Sequence, residues 1–320
     1  MKRSDSMIRH PTEGGNGGTN HTEQFVIKFD NDYPAPVHDV NRDEIGGLDE
    51  IIDQLETFKR AVEFPKLYEF YGVNPPKGFI LSGPPGYGKT YIAKHMSKAL
   101  GARFMDVPLS KFESKWVGEA ESKLTEIIND GRTYKNVTEQ SVLIFFDEAE
   151  EAFKDRVLLG WHAPRVNVLL REMDGLSVDN TGIFFGAATN HLARVDPALM
   201  RPGRLDYHIE IPEYSSAGLA DVVRAVAVRL NRRSQHIDPY VLTEQDHRIL
   251  GLYANQSKLS PAHINEVFKR AADSKIKELS NGTLQANDAE NFYIGRAELM
   301  VHLEKMSPHK NRKNPIGYRV

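Results

Sequence analysis

The sequence predicts an α/β protein in which a domain built on a parallel β-sheet precedes a smaller, all-helical C-terminal domain. Five short apolar runs alternate with longer segments of mixed polarity between Lys77 and Ile211, a pattern typical of parallel strands covered on both faces by crossover helices. Only helical periodicity follows Pro212. Along the chain we expect a flexible arm at 1–24, the sheet domain at 25–213, the helical domain at 214–306 and a basic tail at 307–320.

The composition is that of an ordinary globular protein. The 320 residues are 40% hydrophobic and 27% charged, with a formal net charge of −3, so no global field would attract nucleic acid or an anionic membrane. The chain has no cysteine, which excludes disulfides, thiolate metal sites and cysteine nucleophiles and suits a reducing compartment. No apolar run approaches the roughly 20 residues that span a bilayer. We expect a cytoplasmic protein without a membrane span.

A polar arm and one helix are predicted ahead of the sheet. Residues 1–24 are rich in Gly, Asn, Thr and charged side chains, which bury too little apolar surface to offset the entropy of ordering them. A strand-like run follows at 24–29. Ile51, Leu55 and Phe58 then recur at helical spacing, and Pro65 stands where this helix should end.

The strands of the sheet are predicted from short apolar runs bounded by Gly, Asp or Pro. They are residues 79–81, 104–107, 142–146, 183–188 and 207–211.

The helical domain is predicted from periodicity and capping signals. Apolar residues recur every three to four positions over 219–230, and Thr243 with Asp246 forms a capping-box pattern. Ser260 offers an N-cap, with Pro261 at the first helical position. The C-terminal tail after it carries basic but no acidic side chains. We expect a solvated tail, and a nucleic-acid role for it is the weaker alternative.

A phosphate-binding loop is predicted at residues 83–90, which read Gly-Pro-Pro-Gly-Tyr-Gly-Lys-Thr between a strand and a helix. Backbone N–H groups of such a loop surround the phosphates of ATP, and the helix N-terminus adds a favourable dipole. Lys89 is expected to reach the β- and γ-phosphates and Thr90 to ligate Mg²⁺. A chance Gly/Pro-rich turn is the alternative, which this context disfavours. The nucleotide-binding residues predicted here are Pro85, Gly86, Tyr87, Gly88, Lys89, Thr90 and Tyr91.

Two acids follow the third predicted strand. Asp147 ends this buried run and is expected to hold the Mg²⁺ with Thr90, directly or through water. Glu148 then lies beside the metal-bound nucleotide, where a carboxylate can polarise the attacking water as a general base. The alternative is a charge pair at a helix N-terminus, which is common in isolation.

Three runs together resemble the AAA branch of the AAA+ ATPases. They are the loop 83–90, the run Phe-Phe-Asp-Glu-Ala at 145–149, and the segment 188–206, which contains Asp-Pro-Ala-Leu-Met-Arg-Pro-Gly-Arg-Leu-Asp. The resemblance covers roughly residues 40–305. It implies an ATPase module in which a P-loop NTPase-type α/β domain carries a small helical lid.

The resemblance also implies roles for residues beyond the loop. Asn190 matches the family's sensor asparagine, which touches the γ-phosphate and the attacking water. Arg201 and Arg204 match its arginine fingers, which act in trans on the site of a neighbouring subunit. The chain should therefore be a homo-oligomer, and the family implies a hexamer. For either arginine a surface salt bridge is the alternative.

The adenine end of the site is less regular. Ile45 and Gly46 resemble the family segment that contacts the base, although the glycine could simply make a turn. Where many members have Gly-Ala at a lid helix start, this chain has Pro261 and Ala262, and no sensor arginine is evident there. Tyr87 replaces a common threonine, but only backbone is needed at that position.

An aromatic loop suggests what the ATPase acts on. Lys115, Trp116 and Val117 resemble the family's first pore loop, in which an aromatic side chain grips an extended polypeptide in the channel. A buried tryptophan is the alternative, and the polar residues around it favour the exposed loop.

The leading hypothesis is an ATPase that remodels, unfolds or translocates polypeptide through a hexameric ring, with an adaptor or partner protease possible in trans. One alternative is a nucleic-acid motor or loader on the same fold, which the acidic net charge disfavours. Another is a nucleotide-gated scaffold with slow turnover, which the intact set of catalytic residues disfavours.

Overall fold

The computed structural model describes residues 44–73, 76–107, 119–154, 164–174, 182–234, 237–283 and 289–307. The arm, the strand predicted at 24–29 and all but the first residue of the basic tail lie outside the described residues. The pore-loop residues Lys115, Trp116 and Val117 lie outside them too. These expectations, like the domain boundaries, stay predictions.

Among the described residues, five parallel strands form one sheet. They are β1 (Gly78–Ser82), β2 (Arg103–Val107), β3 (Val142–Phe146), β4 (Ile183–Thr189) and β5 (Tyr207–Glu210), in the order β2-β3-β4-β1-β5. The strands predicted from the sequence are confirmed, and their ends differ from the predictions by at most one residue.

Helices cover both faces of this sheet. They are α1 (Asp49–Glu63), α2 (Pro65–Phe70), α3 (Lys89–Ala99), α4 (Glu119–Thr138), α5 (Ala149–Ala152) and α6 (Pro164–Met173). Successive side chains of a strand point to opposite faces, so Phe145 packs with Phe58 and Ile92 on one face, while Phe146 packs with Leu124 and Leu169 on the other. The interior strand β3 is buried along its whole length.

The first helix ends before Pro65, as predicted, but the same proline begins α2, which the sequence analysis did not predict. A proline is well accepted in the first turn of a helix because its missing N–H has no partner there.

The described residues of the C-terminal part form the helices α7 (Ser216–Arg233), α8 (Glu244–Gln256), α9 (Pro261–Ser280) and α10 (Arg296–Met306), with a 3₁₀ turn at Ala289–Phe292. Val226, Leu250, Phe268 and Leu299 lie in their shared apolar core. The predicted capping box at Thr243 is confirmed. Ser260 and Pro261 begin α9 as predicted, with His263 in place of the usual acid.

The topology brings three chain segments to one edge of the sheet. Because all strands are parallel, their carboxyl ends lie together, which is where ligands bind in open α/β sheets. The loop 83–88 follows β1, Asp147 and Glu148 follow β3, and Asn190 follows β4. Two 3₁₀ turns, Leu192–Arg194 and Pro197–Met200, then connect this edge to the arginine-containing segment.

Candidate active site

The loop between β1 and α3 takes its shape from its glycines. Gly86 and Gly88 have φ angles of +77° and +87°, which side chains with a Cβ rarely adopt. Gly88 is the N-cap of α3, so the helix begins at Lys89 with its free N–H groups turned toward the loop. This arrangement favours a bound anion.

The Lys89 ammonium is held between this loop and the end of β4. Its Nζ donates to the carbonyl oxygens of Gly83 and Pro84, at 2.8 and 2.9 Å, and to the side-chain oxygen of Asn190 at 2.7 Å. Burial lowers the pKa of Lys89, and the nearby Asp147 carboxylate acts in the opposite direction. The lysine therefore links the phosphate loop directly to the asparagine predicted as a sensor.

Thr90 and Asp147 form the second link across the site. The Thr90 hydroxyl donates to Oδ2 of Asp147 at 2.7 Å, and the backbone N–H of Glu148 donates to Oδ1 at 2.9 Å. A hydroxyl and a carboxylate are hard oxygen donors, which suit Mg²⁺ when substrate phosphates and water complete its coordination. Among the described residues, no three acidic or histidine side chains form a metal site by themselves.

Glu148 has an unusual backbone. Its φ of 52° lies in the left-handed region, which is uncommon for a residue other than glycine and costs on the order of 1 kcal/mol. The side chain lines the cavity described below. Strain of this kind at the turn from β3 into α5 is typical of functional sites.

These residues converge on one cavity of about 450 Å³, a volume typical of small-ligand sites. It lies between the carboxyl edge of the sheet and the C-terminal helices. Every nucleotide-binding residue predicted from the sequence lines the cavity, together with two of the predicted catalytic residues. They are Ile45, Gly46, Pro85, Gly86, Tyr87, Gly88, Lys89, Thr90, Tyr91, Asp147, Glu148 and Asn190.

The C-terminal helices supply a wall of the cavity that sequence reasoning missed. Arg229 of α7 and Asn265 of α9 line it, and the Arg229 guanidinium donates to the Asn265 side-chain oxygen. The same guanidinium carbon lies 5.4 Å from the centre of the Tyr91 ring, within cation–π range. Tyr214 lines the cavity beside Tyr87, and burial raises the pKa of the Tyr214 hydroxyl. No local motif marks these residues, because only tertiary packing brings them together.

The apolar end of the cavity depends on a close backbone approach. A Cβ on Gly46 would lie 2.2 Å from the backbone carbonyl of Asp221 in α7, so only glycine fits there without movement of the helix. The adjacent Glu44 accepts hydrogen bonds from the Tyr91 hydroxyl and from Arg232, each at 3.3 Å. The segment before α1 is thereby tied both to the phosphate-loop helix and to α7.

The Pro261–Ala262 departure leaves the contact between loop and lid intact. Pro261 needs no hydrogen-bond acceptor at the first helical position. The Ala262 N–H donates to the Gly86 carbonyl at 3.1 Å, and both residues line the cavity. The start of α9 therefore contacts the phosphate loop through a backbone hydrogen bond, and the side chains of Ser260 and Ala262 lie close to Gly86.

The two proposed arginine fingers do not line the cavity of their own chain. Arg201 is exposed at the end of the second 3₁₀ turn. Arg204 forms a bidentate pair with Asp174, with N–O distances of 2.8 and 2.7 Å, and a bond to the Ala198 carbonyl. Its guanidinium holds the pKa of Asp174 below the ordinary value. Their role in a neighbouring site stays a prediction.

A known protein family matches the segment that contains the sheet and the phosphate loop. Residues 79–213 match the family described as "ATPase family associated with various cellular activities (AAA)". The chain carries an AAA ATPase domain. The matched residues of this AAA domain include the phosphate loop, Asp147, Glu148, Asn190 and both arginines.

Curated relatives extend the likeness beyond the AAA domain. An "AAA ATPase forming ring-shaped complexes" of Corynebacterium efficiens is 35% identical over 283 residues, which cover 79% of this chain and 53% of the relative. A "Proteasome-activating nucleotidase" of Sulfurisphaera tokodaii is 36% identical over 280 residues, covering 85% and 64%. The "Protein SAV" of Sulfolobus acidocaldarius is 42% identical over 177 residues, covering 54% and 22%. The AAA chain spans about half the length of the first of these relatives.

Within the described part of the chain, no helix combines the length and the apolar character needed to cross a bilayer. The cytoplasmic location expected from the sequence stays a prediction.

Proposed function

We propose that this AAA protein binds ATP with Mg²⁺ and hydrolyses it at the cavity between sheet and lid. The observation that carries the proposal is the pair of links across the phosphate end, Lys89 to Asn190 and Thr90 to Asp147, each 2.7 Å long. They join the phosphate loop to the ends of β4 and β3, so the lysine, the proposed Mg²⁺ ligands and the sensor asparagine face one space.

Each side chain then has a defined task. Lys89 binds the phosphates. To do so, its ammonium must replace at least one of its three hydrogen bonds within the chain by a hydrogen bond to a phosphate oxygen. Thr90 and Asp147 would hold Mg²⁺, which supplies charge neutralisation at the phosphate oxygens when bound. Glu148 accepts the proton of the attacking water, and Asn190 orients that water against the γ-phosphate.

Replacing Lys89 with Ala is expected to abolish ATP binding, because the ammonium is the cation of the phosphate loop. A ligand present at 100 times its Kd stabilises a protein by about 2.7 kcal/mol, so ATP should raise the Tm of the wild-type chain and leave that of the variant unchanged. Differential scanning fluorimetry with and without ATP and Mg²⁺ measures this. Lys94→Ala, one turn further along α3, is the matched control and should retain the ATP-dependent shift. An equal shift in Lys89→Ala would remove the phosphate-loop assignment.

We also propose that the chain works as a homo-oligomeric ring, with six subunits as the family resemblance implies. One relative is named for forming ring-shaped complexes. Arg201 and Arg204 lie away from the cavity of their own chain, which suits residues that act on the next subunit. A head-to-tail interface of this kind closes into a ring when its rotation permits.

The substrate that we propose for the ring is polypeptide. The sequence Lys115-Trp116-Val117 supports this, as does the resemblance to a protein named a proteasome-activating nucleotidase. A partner protease or adaptor in trans would fit the same activity.

Replacing Trp116 with Ala should abolish processing of a polypeptide while ATP hydrolysis continues, because the ring loses its grip and not its active site. The measurement is ATP-dependent unfolding of a fluorescent protein carrying an unstructured tag, with phosphate release followed in parallel. Trp116→Tyr keeps an aromatic face and should keep most of the unfolding. Undiminished unfolding by the Ala variant, or hydrolysis stimulated by single-stranded DNA and not by unfolded polypeptide, would contradict the polypeptide assignment.

A further inference from the structure

A buried carboxylate lies next to the candidate active site, on the short helix that follows β3. Glu150 lies on α5, two residues after Glu148, and only 4% of it is exposed. It does not line the cavity, and none of the tasks assigned above uses it. Burying a carboxylate is costly unless it is paired or hydrogen-bonded, so its contacts indicate what it does.

Glu150 bonds to the backbone of the sensor residue. Its Oε1 accepts the Asn190 N–H at 3.1 Å, while its Oε2 is buried and has no hydrogen-bond partner among the described residues. Other buried glutamates of the chain behave differently, since Glu44 and Glu172 each face an arginine. Among the described residues, the contact that Glu150 makes is instead with a backbone N–H.

The contact lies at a junction of the site. Asn190 follows the last residue of β4, and its side-chain oxygen accepts a hydrogen bond from the Lys89 ammonium at 2.7 Å. The chain of contacts thus runs from α5 through the Asn190 backbone to the phosphate-binding lysine. The negative charge of Glu150 also acts on Lys89, in the direction that keeps the ammonium protonated.

We propose that Glu150 is a positioning residue for ATP hydrolysis, which anchors the Asn190 backbone so that the Asn190 amide stays directed at Lys89 and the γ-phosphate. The proposal rests on the hydrolytic function proposed above. Glu150 and Glu148 share one short helix turn, so this anchor ties the sensor asparagine to the same element that carries the general base. The distance between Glu148 and Asn190, the two residues that contact the attacking water, is thereby fixed.

The test is a series at position 150 in the 320-residue chain. Glu150→Ala removes the acceptor and should lower kcat about tenfold or more, the effect of losing one hydrogen bond to a charged group, with KM for ATP within about twofold of wild type. Glu150→Gln keeps an oxygen at the same reach and should retain kcat within about twofold. Glu150→Asp shortens the side chain by one methylene, which moves the oxygen away from the Asn190 N–H, so its kcat should be as low as that of Glu150→Ala. If the Ala variant does not fold, the Gln and Asp variants decide.

A control and a double mutant separate positioning from general damage. Glu151→Ala is the matched control, because the Glu151 side chain is exposed and pairs with Lys154 at 2.6 Å; its kcat should be unchanged. Since Glu150 is argued to act through Asn190, Glu150→Ala combined with Asn190→Ala should be no slower than Asn190→Ala alone.

Three results would overturn the proposal: full kcat in Glu150→Ala, equal losses in the Gln and Ala variants, or losses that multiply in the double mutant. Failure of the proposed function looks different, because the wild-type chain would then show no ATP turnover at all.

Discussion

Glu148→Gln is expected to lower kcat for ATP by about 10²–10⁴-fold while ATP still binds. The amide cannot take the proton of the attacking water, which the carboxylate accepts in the wild-type chain. Lys89, Thr90 and Asp147 keep their contacts, since the variant leaves the phosphate loop and the proposed Mg²⁺ ligands untouched. Gln also has the same shape as Glu, so the left-handed backbone at position 148 is no more strained than before.

Steady-state phosphate release and the ATP-dependent rise in Tm, measured on the same preparations, separate turnover from binding. Glu151→Gln is the matched control, because it neutralises an exposed neighbouring acid and should leave both quantities unchanged. Because the variant holds ATP without consuming it, its assembled form should also persist longer in ATP, which light scattering detects. Wild-type kcat in Glu148→Gln would end the general-base assignment.

The phosphate end of the cavity could be predicted from sequence because its determinants are local. The glycines and Lys89 act within one loop, and buried apolar runs place Asp147 and Asn190 at strand ends whose edge the parallel topology fixes. Gly86, Gly88, Lys89, Asp147 and Asn190 line the cavity. The same logic predicted the five strands of the described sheet, because short apolar runs that alternate with longer segments of mixed polarity are typical of parallel strands and crossover helices.

The lid end could not be predicted in the same way. Arg229 is one of several arginines on α7, and no spacing distinguishes it from the others. Its place beside Tyr91 and Asn265 depends on how α7 and α9 pack over the phosphate-loop helix. Glu150 was missed for a related reason, because its partner is a backbone N–H forty residues away. Such a contact leaves no trace in the sequence.

The arginines show where a resemblance alone leaves a choice open. The sequence offered a finger or a salt bridge for each, and Arg204 does form a salt bridge, with Asp174. An ion pair of that kind can hold an arginine in position for a neighbour as well as stabilise its own chain. Truncating Arg204 would disturb Asp174 and the Ala198 carbonyl, so its loss of activity would have two explanations. The exposed Arg201 is the cleaner test.

Arg201→Ala should lower kcat by about 10³–10⁵-fold, the range measured when a transition-state arginine finger is supplied or withheld, with ATP binding retained. Arg248→Ala is the control, because this arginine of α8 has a side chain 76% exposed and pairs with Glu244 on the same helix. It should hydrolyse ATP like the wild-type chain.

Mixing subunits then decides whether the arginine acts in trans. A Lys89→Ala subunit cannot bind ATP but keeps its Arg201, whereas an Arg201→Ala subunit keeps an intact phosphate loop. If the finger reaches the neighbouring site, Arg201 of a Lys89→Ala subunit completes the intact phosphate loop of an adjacent Arg201→Ala subunit, and the mixture should regain turnover that neither variant has alone. If Arg201 serves its own cavity, no arrangement of the two creates a complete site and the mixture stays inactive. Recovery of activity therefore ties ring assembly to catalysis, because it requires two chains to share one active site.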